Sequence, residues 1–344
     1  MMRGPVVVAA VLLGLILPSE EVAAAHATKR IIFADGRLWL LSHSGRLSTL
    51  GLGERSATDE STPVPVLDMC ARQGKPLIVT CQGKRCESFA VWRRSDATWS
   101  IESTVKIDGD NIVAMACSEE ATTLLTSLRA IQMQRGKTRS GGQGWRLSNR
   151  IPVPIVTAVH AQGDAVFIGL DAGEWGGGLL RIDLISGRTT TVGGKDPGEL
   201  CGAVLDPACD PVNAIAPAPW NTGCVVAAVG LSHLGTHGRL VEICGSRLRP
   251  IGGITVPSGS HGRRAVDSEA FYGLARSGNL LWAAGLTSLY RVDENSTKPV
   301  PLPALKTVAG LGISFDIPGL VVVVRSAHGG MAVGGGGVPD LLPR

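Results

Sequence analysis

Residues 155–192 read IVTAVHAQGDAVFIGLDAGEWGGGLLRIDLISGRTTTV, and this stretch decides the fold. Ile155-Val156-Thr157-Ala158-Val159 reads as one strand, rich in β-branched residues. Gln162-Gly163-Asp164 turns the chain into Ala165-Val166-Phe167-Ile168-Gly169-Leu170, a second strand. After the loop 171–178, Leu179-Leu180-Arg181-Ile182-Asp183 supplies a third. Ser186-Gly187-Arg188 then turns into Thr189-Thr190-Thr191-Val192, the fourth. Each run is short, apolar and bounded by turn residues, the signature of antiparallel strands joined by tight turns.

The same order returns along the chain. Residues 212–215, 224–230, 238–243 and 247–251 make another unit, and 270–274, 280–285, 288–292 and 299–302 the next. Weaker copies begin near Val66 and Ile112. Residues 31–50 and 311–333 supply the two ends, and the register is poorest over 129–152. Long 3.6-residue periodicity is nearly absent, so few helices are expected. A four-stranded unit repeated every forty-odd residues is the blade of a β-propeller, and stacking blades in a ring buries the two faces that one blade leaves open. The expectation is an all-β fold, a single propeller of about seven four-stranded blades, six or eight being the neighbouring counts. A pair of β-sandwiches would not require such a period, and a β-helix would need a shorter one.

The pattern VFIGLD…GGGLLRID…SGRTTTV within residues 166–192 resembles the repeats of bacterial two-component-regulator-type propellers. More loosely it is similar to the wider six- and seven-bladed group that includes SMP-30-type lactonases and streptogramin lyase. The resemblance covers one to three blades and implies a fold. It carries over no catalytic residue, and a fold of this kind does not fix a function.

Ahead of the repeat stands a leader. Arg3 forms a small basic region, residues 5–17 are an unbroken run of apolar and small residues, and Ala25-His26-Ala27 offers the small-x-small pattern of a cleavage site. Residues 1–27 are therefore expected to be a signal peptide cut before Thr28, with 28–344 as the propeller. The apolar run is shorter than the roughly twenty residues that span a bilayer; an uncleaved anchor is the alternative. No later run is long enough to span, so a secreted or periplasmic protein with no membrane span after cleavage is expected. The formal charge of +4 is spread without a dense Lys/Arg block, which argues against nucleic acid as a partner.

All eight cysteines follow the leader, and an even count in an exported chain reads as disulfides. Cys224 opens a second strand and Cys244 closes the third, so antiparallel pairing brings them to one end. Cys201 and Cys209 bracket a connector loop, and Cys81 and Cys86 bracket a short one. Cys70 and Cys117 remain, both on first strands of consecutive units.

Blade geometry sorts the loops. Second-to-third strand loops and blade-to-blade connectors share one face, and that face collects the chemistry. His43 closes a second strand, His233 and His237 fall in one second-to-third loop, His261 in a connector, and His328 after the strand 320–325. His160 alone is expected on the other face, at a turn. Asp171 and Glu174 flank Trp175 in one loop, Asp206 and Asp210 lie in the connector 193–211, and Asp267 and Glu269 follow His261. Imidazoles with carboxylates can hold a divalent cation, the one cofactor these residues point to, or act as acid–base pairs. His233, His237, His261 and Glu269 are the candidate ligands, and a merely polar face is the bland alternative. Trp175 and Trp220 are the tryptophans best placed to stack on a ligand. Two functions follow. One is a monomeric binding module presenting this face to a small molecule, glycan or protein. The other is a metal-assisted lyase or hydrolase using the same histidines and carboxylates.

Overall fold

The computed structural model describes residues 28–51, 57–107, 109–134, 137–138, 145–147, 151–152, 155–196, 198, 201–232, 236–252, 268–285, 288–300, 311–317, 320–325 and 340–343. The expected leader, 1–27, lies outside them.

The chain is an all-β propeller. Blade 1 runs through Thr28–Ala34, Arg37–Ser42, Leu47–Gly51 and Thr58–Glu60, and blade 2 through Val66–Arg72, Lys75–Gln82, Ser88–Ser95 and Thr98–Lys106. Blade 3 has Ile112–Cys117, Ala121–Thr126 and Arg129–Gln134. Two short strands, Lys137–Thr138 and Trp145–Arg146, both pair with its third strand, in the region where the sequence register was poorest. Blade 4 is Val156–Gln162, Ala165–Asp171, Gly177–Asp183 and Thr189–Val192. Blade 5 is Val212–Pro217, Val225–Ser232, Thr236–Cys244 and Arg247–Ile251, and blade 6 is Phe271–Ser277, Leu280–Gly285, Leu289–Val292 and Thr297–Val300.

These six blades of four or five strands are joined by a three-stranded sheet, Leu311–Ile317, Leu320–Arg325 and Asp340–Pro343. Its first strand packs against the first strands of blades 6 and 1, which closes the ring. Every sheet is built from strands consecutive in sequence. Among the described residues, the two ends of the chain meet by packing between sheets.

The physical reason for the apolar second strands is burial on both faces. Val166, Ile168 and Leu170 join the core between blades 3 and 4, while Ala165 and Phe167, on the opposite face, join the core between blades 4 and 5. Comparable cores lie between blades 1 and 2, 2 and 3, and 5 and 6. Sheet alternation persists, but both of its phases are apolar.

A β-bulge recurs at the start of each first strand. Lys29, Leu67, Val113, Thr157, Asn213 and Tyr272 are the extra residues, skipped in the pairing with the second strand. Three of them clasp the next blade. Lys29 Nζ donates to Leu67 O at 2.7 Å, Thr157 Oγ1 to Val212 O at 2.6 Å, and Asn213 Nδ2 to Phe271 O at 3.0 Å. The bulges sit at the end where the connectors enter, so they set the rim of the connector face.

The four disulfides are the pairs read from the sequence: Cys70–Cys117, Cys81–Cys86, Cys201–Cys209 and Cys224–Cys244. Their Cα–Cα separations of 4.5 to 5.7 Å fall within disulfide reach. Cys70–Cys117 ties the first strands of blades 2 and 3 together. Cys81–Cys86 and Cys201–Cys209 hold loops on the connector face, and Cys224–Cys244 lies at the opposite end of blade 5.

Candidate functional site

The loop between the second and third strands of blade 4 is built to display a side chain. Asp171 Oδ1 accepts the N–H of Gly173 at 2.7 Å, and one 3-10 turn, Gly173–Trp175, follows. Gly176, Gly177 and Gly178 all have positive φ. They fold tightly onto the next connector: Gly177 N–H donates to Pro207 O at 2.9 Å and Gly178 N–H to Asp210 O at 2.8 Å. A Cβ on Gly176 would lie 2.4 Å from the backbone of Pro207 and Ala208, so only glycine permits this approach. The turn pins its backbone and leaves the Trp175 side chain 86% exposed. Glu174 beside it is also exposed.

The connector beneath is equally fixed. Cys201–Cys209 spans it, Asp210 N–H donates to Asp206 O at 2.8 Å, and Asp206 N–H donates to Asp210 Oδ2 at 2.7 Å. The Asp210 carboxylate is fully buried. It accepts the His237 Nε2 proton at 3.0 Å and both its oxygens face Arg239 at 2.8 and 2.9 Å. Burial works against the charge on Asp210, yet the bonds from His237, Arg239 and Asp206 hold it below the usual carboxylate range. An ionised carboxylate only accepts, so the His237–Asp210 bond needs the proton on Nε2, a nitrogen that also lies 3.3 Å from Arg239 Nη2. In the neutral ring that tautomer leaves Nδ1 as the acceptor, and among the described residues no hydrogen bond to it is seen. The His237 side chain is 40% exposed, and it stands in the third strand of blade 5 rather than in the loop where the sequence reading put it.

Blade 6 approaches from the other side. Ser268 N–H donates to Thr236 O at 3.1 Å, and Ser268 Oγ accepts the Gly238 N–H at 2.9 Å. Glu269 thus lies along the strand of His237, but its buried carboxylate is turned toward Gly285, where a Cβ would meet Oε1 at 2.2 Å. Tyr272, the bulge residue of blade 6, is pushed up to about 12 by burial and then by the charges of Asp171 and Glu269. Its phenol stays protonated at neutral pH.

The structure thus brings together Asp171, Glu174, Trp175, Asp206, Asp210 and His237 around one turn, with Glu269 behind. His43 is exposed on blade 1, away from blades 4 to 6. His233, His261, Asp267 and His328 lie outside the described residues. His160 is not in a turn: it stands within the first strand of blade 4, opposite Phe167. The strand continues three positions past Val159, to Gln162, and Ala161 still packs in the core. Trp220 is committed elsewhere, its Nε1–H donating to the buried Glu242 at 2.8 Å at the opposite end of blade 5. Arg249 also bonds Glu242 at 2.8 Å, and these partners outweigh burial to hold that carboxylate low.

Cys224, Glu242 and Cys244 come close enough together to suit a metal, but both sulfurs are in the disulfide and cannot ligate. Two participants escaped sequence reading. Arg239 and Tyr272 lie inside strands, and their one visible signal was a charged or phenolic residue next to a strand glycine, Gly238 and Gly273.

No family model matches the chain, and no curated protein matches it. Solved structures do. The extracellular domain of a hybrid two-component system from B. thetaiotaomicron shares 14% identity with a TM-score of 0.51, over 87% of this chain and 37% of that one. The likeness is one of fold. The β-propeller domain of Cps50 (Swd1) from Myceliophthora thermophila shares 10% identity with a TM-score of 0.53, over 87% of this chain and 94% of that one. The chain spans little more than a third of that extracellular domain. Four disulfides in a propeller place the chain among proteins that fold under oxidising conditions.

Proposed function

We propose that this chain is an exported binding module, secreted or periplasmic, that holds a small molecule, glycan or protein on its connector face between blades 4 and 6. The observation that carries this reading is Trp175, 86% exposed on a turn whose backbone is locked to the connector below. Covering an exposed indole removes its apolar area from water, and rigid aromatic side chains dominate binding hot spots. The ring supplies the rigidity, and the disulfide Cys201–Cys209 holds the connector in the binding shape. The leader and the disulfides support export, and the module acts as a monomer. A thermal-shift screen across small molecules and glycans tests this. A ligand-dependent rise in Tm that Trp175→Ala removes, in metal-free protein, is the expected result.

A metal-assisted lyase or hydrolase is the second reading, favoured by one observation: a buried Asp210 orients His237 with Nδ1 left as the acceptor. Carboxylate-held histidines of this kind serve as metal ligands and bases. His233, His261 and Glu269 complete the proposed divalent-cation set. Metal analysis of the purified protein separates the two readings, since a stoichiometric cation lost on His261→Ala supports the enzyme.

A further inference from the structure

We infer that the ligand of the Trp175 turn is a neutral glycan, with one pyranose ring stacked on the indole and hydroxyls bonded by Asp171 and Tyr272. The inference rests on the binding-module reading above and names its ligand.

Three observations converge. First, the indole stands alone. Trp175 is 86% exposed, and the other exposed large apolar side chains among the described residues lie elsewhere. Val64, Ile101 and Leu128 belong to blades 1 to 3 and their connectors, and Ile185 sits in the turn between the third and fourth strands of blade 4, on the opposite face. A protein interface needs an apolar core of several side chains. A pyranose asks for one flat apolar surface to cover its C–H face, with polar groups around it.

Second, those polar groups have bonding capacity to spare. Asp171 spends Oδ1 on the Gly173 N–H, and among the described residues its Oδ2 has no partner. The Tyr272 hydroxyl makes no hydrogen bond among the described residues either. Burial, and then the charge of Asp171, pushes that phenol up, so the two groups are near each other and the phenol stays protonated. Together they offer a carboxylate acceptor and a hydroxyl donor to sugar hydroxyls, which both give and take hydrogen bonds. A neutral aromatic ligand would stack on Trp175 but leave these groups unpaired when it covered them, which is costly.

Third, the platform is fixed before any ligand arrives. Gly177 and Gly178 are bonded to Pro207 and Asp210, and Cys201–Cys209 spans the connector that carries those carbonyls. A sugar must shed water from every hydroxyl it buries, so it gains most from a site that needs no further ordering. Net charge plays no part. The surrounding connectors carry both signs, with Lys195 and Asp196 exposed and Arg263 and Arg264 outside the described residues, and a neutral ligand is indifferent to their sum.

An array of neutral glycans probed with the full mature chain, followed by calorimetric titration of the best binder, tests this. At least one neutral glycan should bind, with an affinity that changes less than about twofold between low salt and about 0.5 M salt. Trp175→Ala should weaken it at least about tenfold, as for an aromatic anchor. Tyr272→Phe and Asp171→Asn should each weaken it about two- to tenfold, the loss of one hydrogen bond. Asparagine keeps an oxygen for the Gly173 N–H, so the turn and the melting temperature should hold.

Glycan binding that Trp175→Ala leaves unchanged overturns the inference, as does binding that neither Tyr272→Phe nor Asp171→Asn weakens. If no neutral glycan on the array binds while a charged small molecule or a protein binds in a Trp175-dependent way, the glycan inference falls and the binding-module reading stands. If no class of ligand binds through Trp175, both fall.

Discussion

Asp210 Oδ1 lies 3.0 Å from His237 Nε2, and the same carboxylate is shared with Arg239. It is a fully buried carboxylate that accepts from His237, Arg239 and the Asp206 N–H. Removing one partner strands the others, which is the costly case for a buried ion pair. Asp210→Asn should therefore destabilise the protein by about 3 kcal/mol in urea unfolding. The double variant Asp210→Asn/Arg239→Met should recover part of the loss, because no unpaired charge then stays buried. Since the folded-state pKa of Asp210 lies below the ordinary carboxylate value, its contribution is complete above that ordinary value and is lost as pH falls through the depressed one. An Asp210→Asn protein that matches the parent in stability at neutral pH would contradict this account.

Blade packing makes a second prediction. Gly169 sits so close to blade 5 that a Cβ would lie 2.4 Å from Val212 O, and Gly230 meets Phe271 O at the same distance. Neither glycine has a positive φ, so its role is close approach rather than backbone conformation. Gly169→Ala and Gly230→Ala should each cost about 1–3 kcal/mol as overpacking that forces neighbouring blades apart. Gly36 and Gly163, in turns with nothing within 4 Å of a notional Cβ but with φ of 73° and 57°, should respond through backbone strain alone, at about 1 kcal/mol. Chemical denaturation of the four variants measures the difference.

Cys70–Cys117 is the disulfide that joins two blades, across 47 positions of sequence. Its loop is the longest of the four, so the chain-entropy argument assigns it the largest effect on the unfolded state, about 4 kcal/mol, against about 2–3 for Cys201–Cys209. Cys70→Ala/Cys117→Ala should lower Tm more than Cys201→Ala/Cys209→Ala. The second pair should instead weaken ligand binding, because it fixes the connector under Trp175. The opposite ranking in Tm would mean that native-state contacts, and not loop closure, set the effect.

The period of strands and turns was legible because the second strands are apolar on both phases and most turns carry a glycine or aspartate, blade 3 with Ser118-Glu119-Glu120 and Ser127-Leu128 being the exception. The disulfides were legible for the same reason: once strand order is known, Cys224 and Cys244 must meet at one end. His160 and His237 were placed wrongly by two or three residues, since a strand that ends among small and polar residues gives no sharp boundary in sequence. Arg239 was invisible for a deeper reason. Its partner is a buried aspartate 29 positions away, and only the tertiary fold brings a connector carboxylate under a strand guanidinium. Tyr272 was hidden likewise, because a β-bulge changes which way a residue points without changing its type.

His160 carries the last prediction. It stands in the first strand of blade 4, opposite Phe167, where desolvation lowers it to about 4, against a weaker opposing bond with Gln162. In the unfolded chain a histidine titrates near 6.5. Between these values the unfolded chain binds a proton that the folded one refuses, so stability must fall as pH drops from about 6.5 toward 4. The loss should approach about 3 kcal/mol at the lower end. His160→Leu, which keeps an apolar side chain of similar bulk without a titrating group, should flatten the profile across this window. Its stability at pH 7 should stay within about 1–2 kcal/mol of the parent. Urea unfolding at pH 7, 6 and 5 measures both slopes, and a parent protein equally stable at pH 7 and 5 would show that His160 accepts its proton in the fold as readily as outside it.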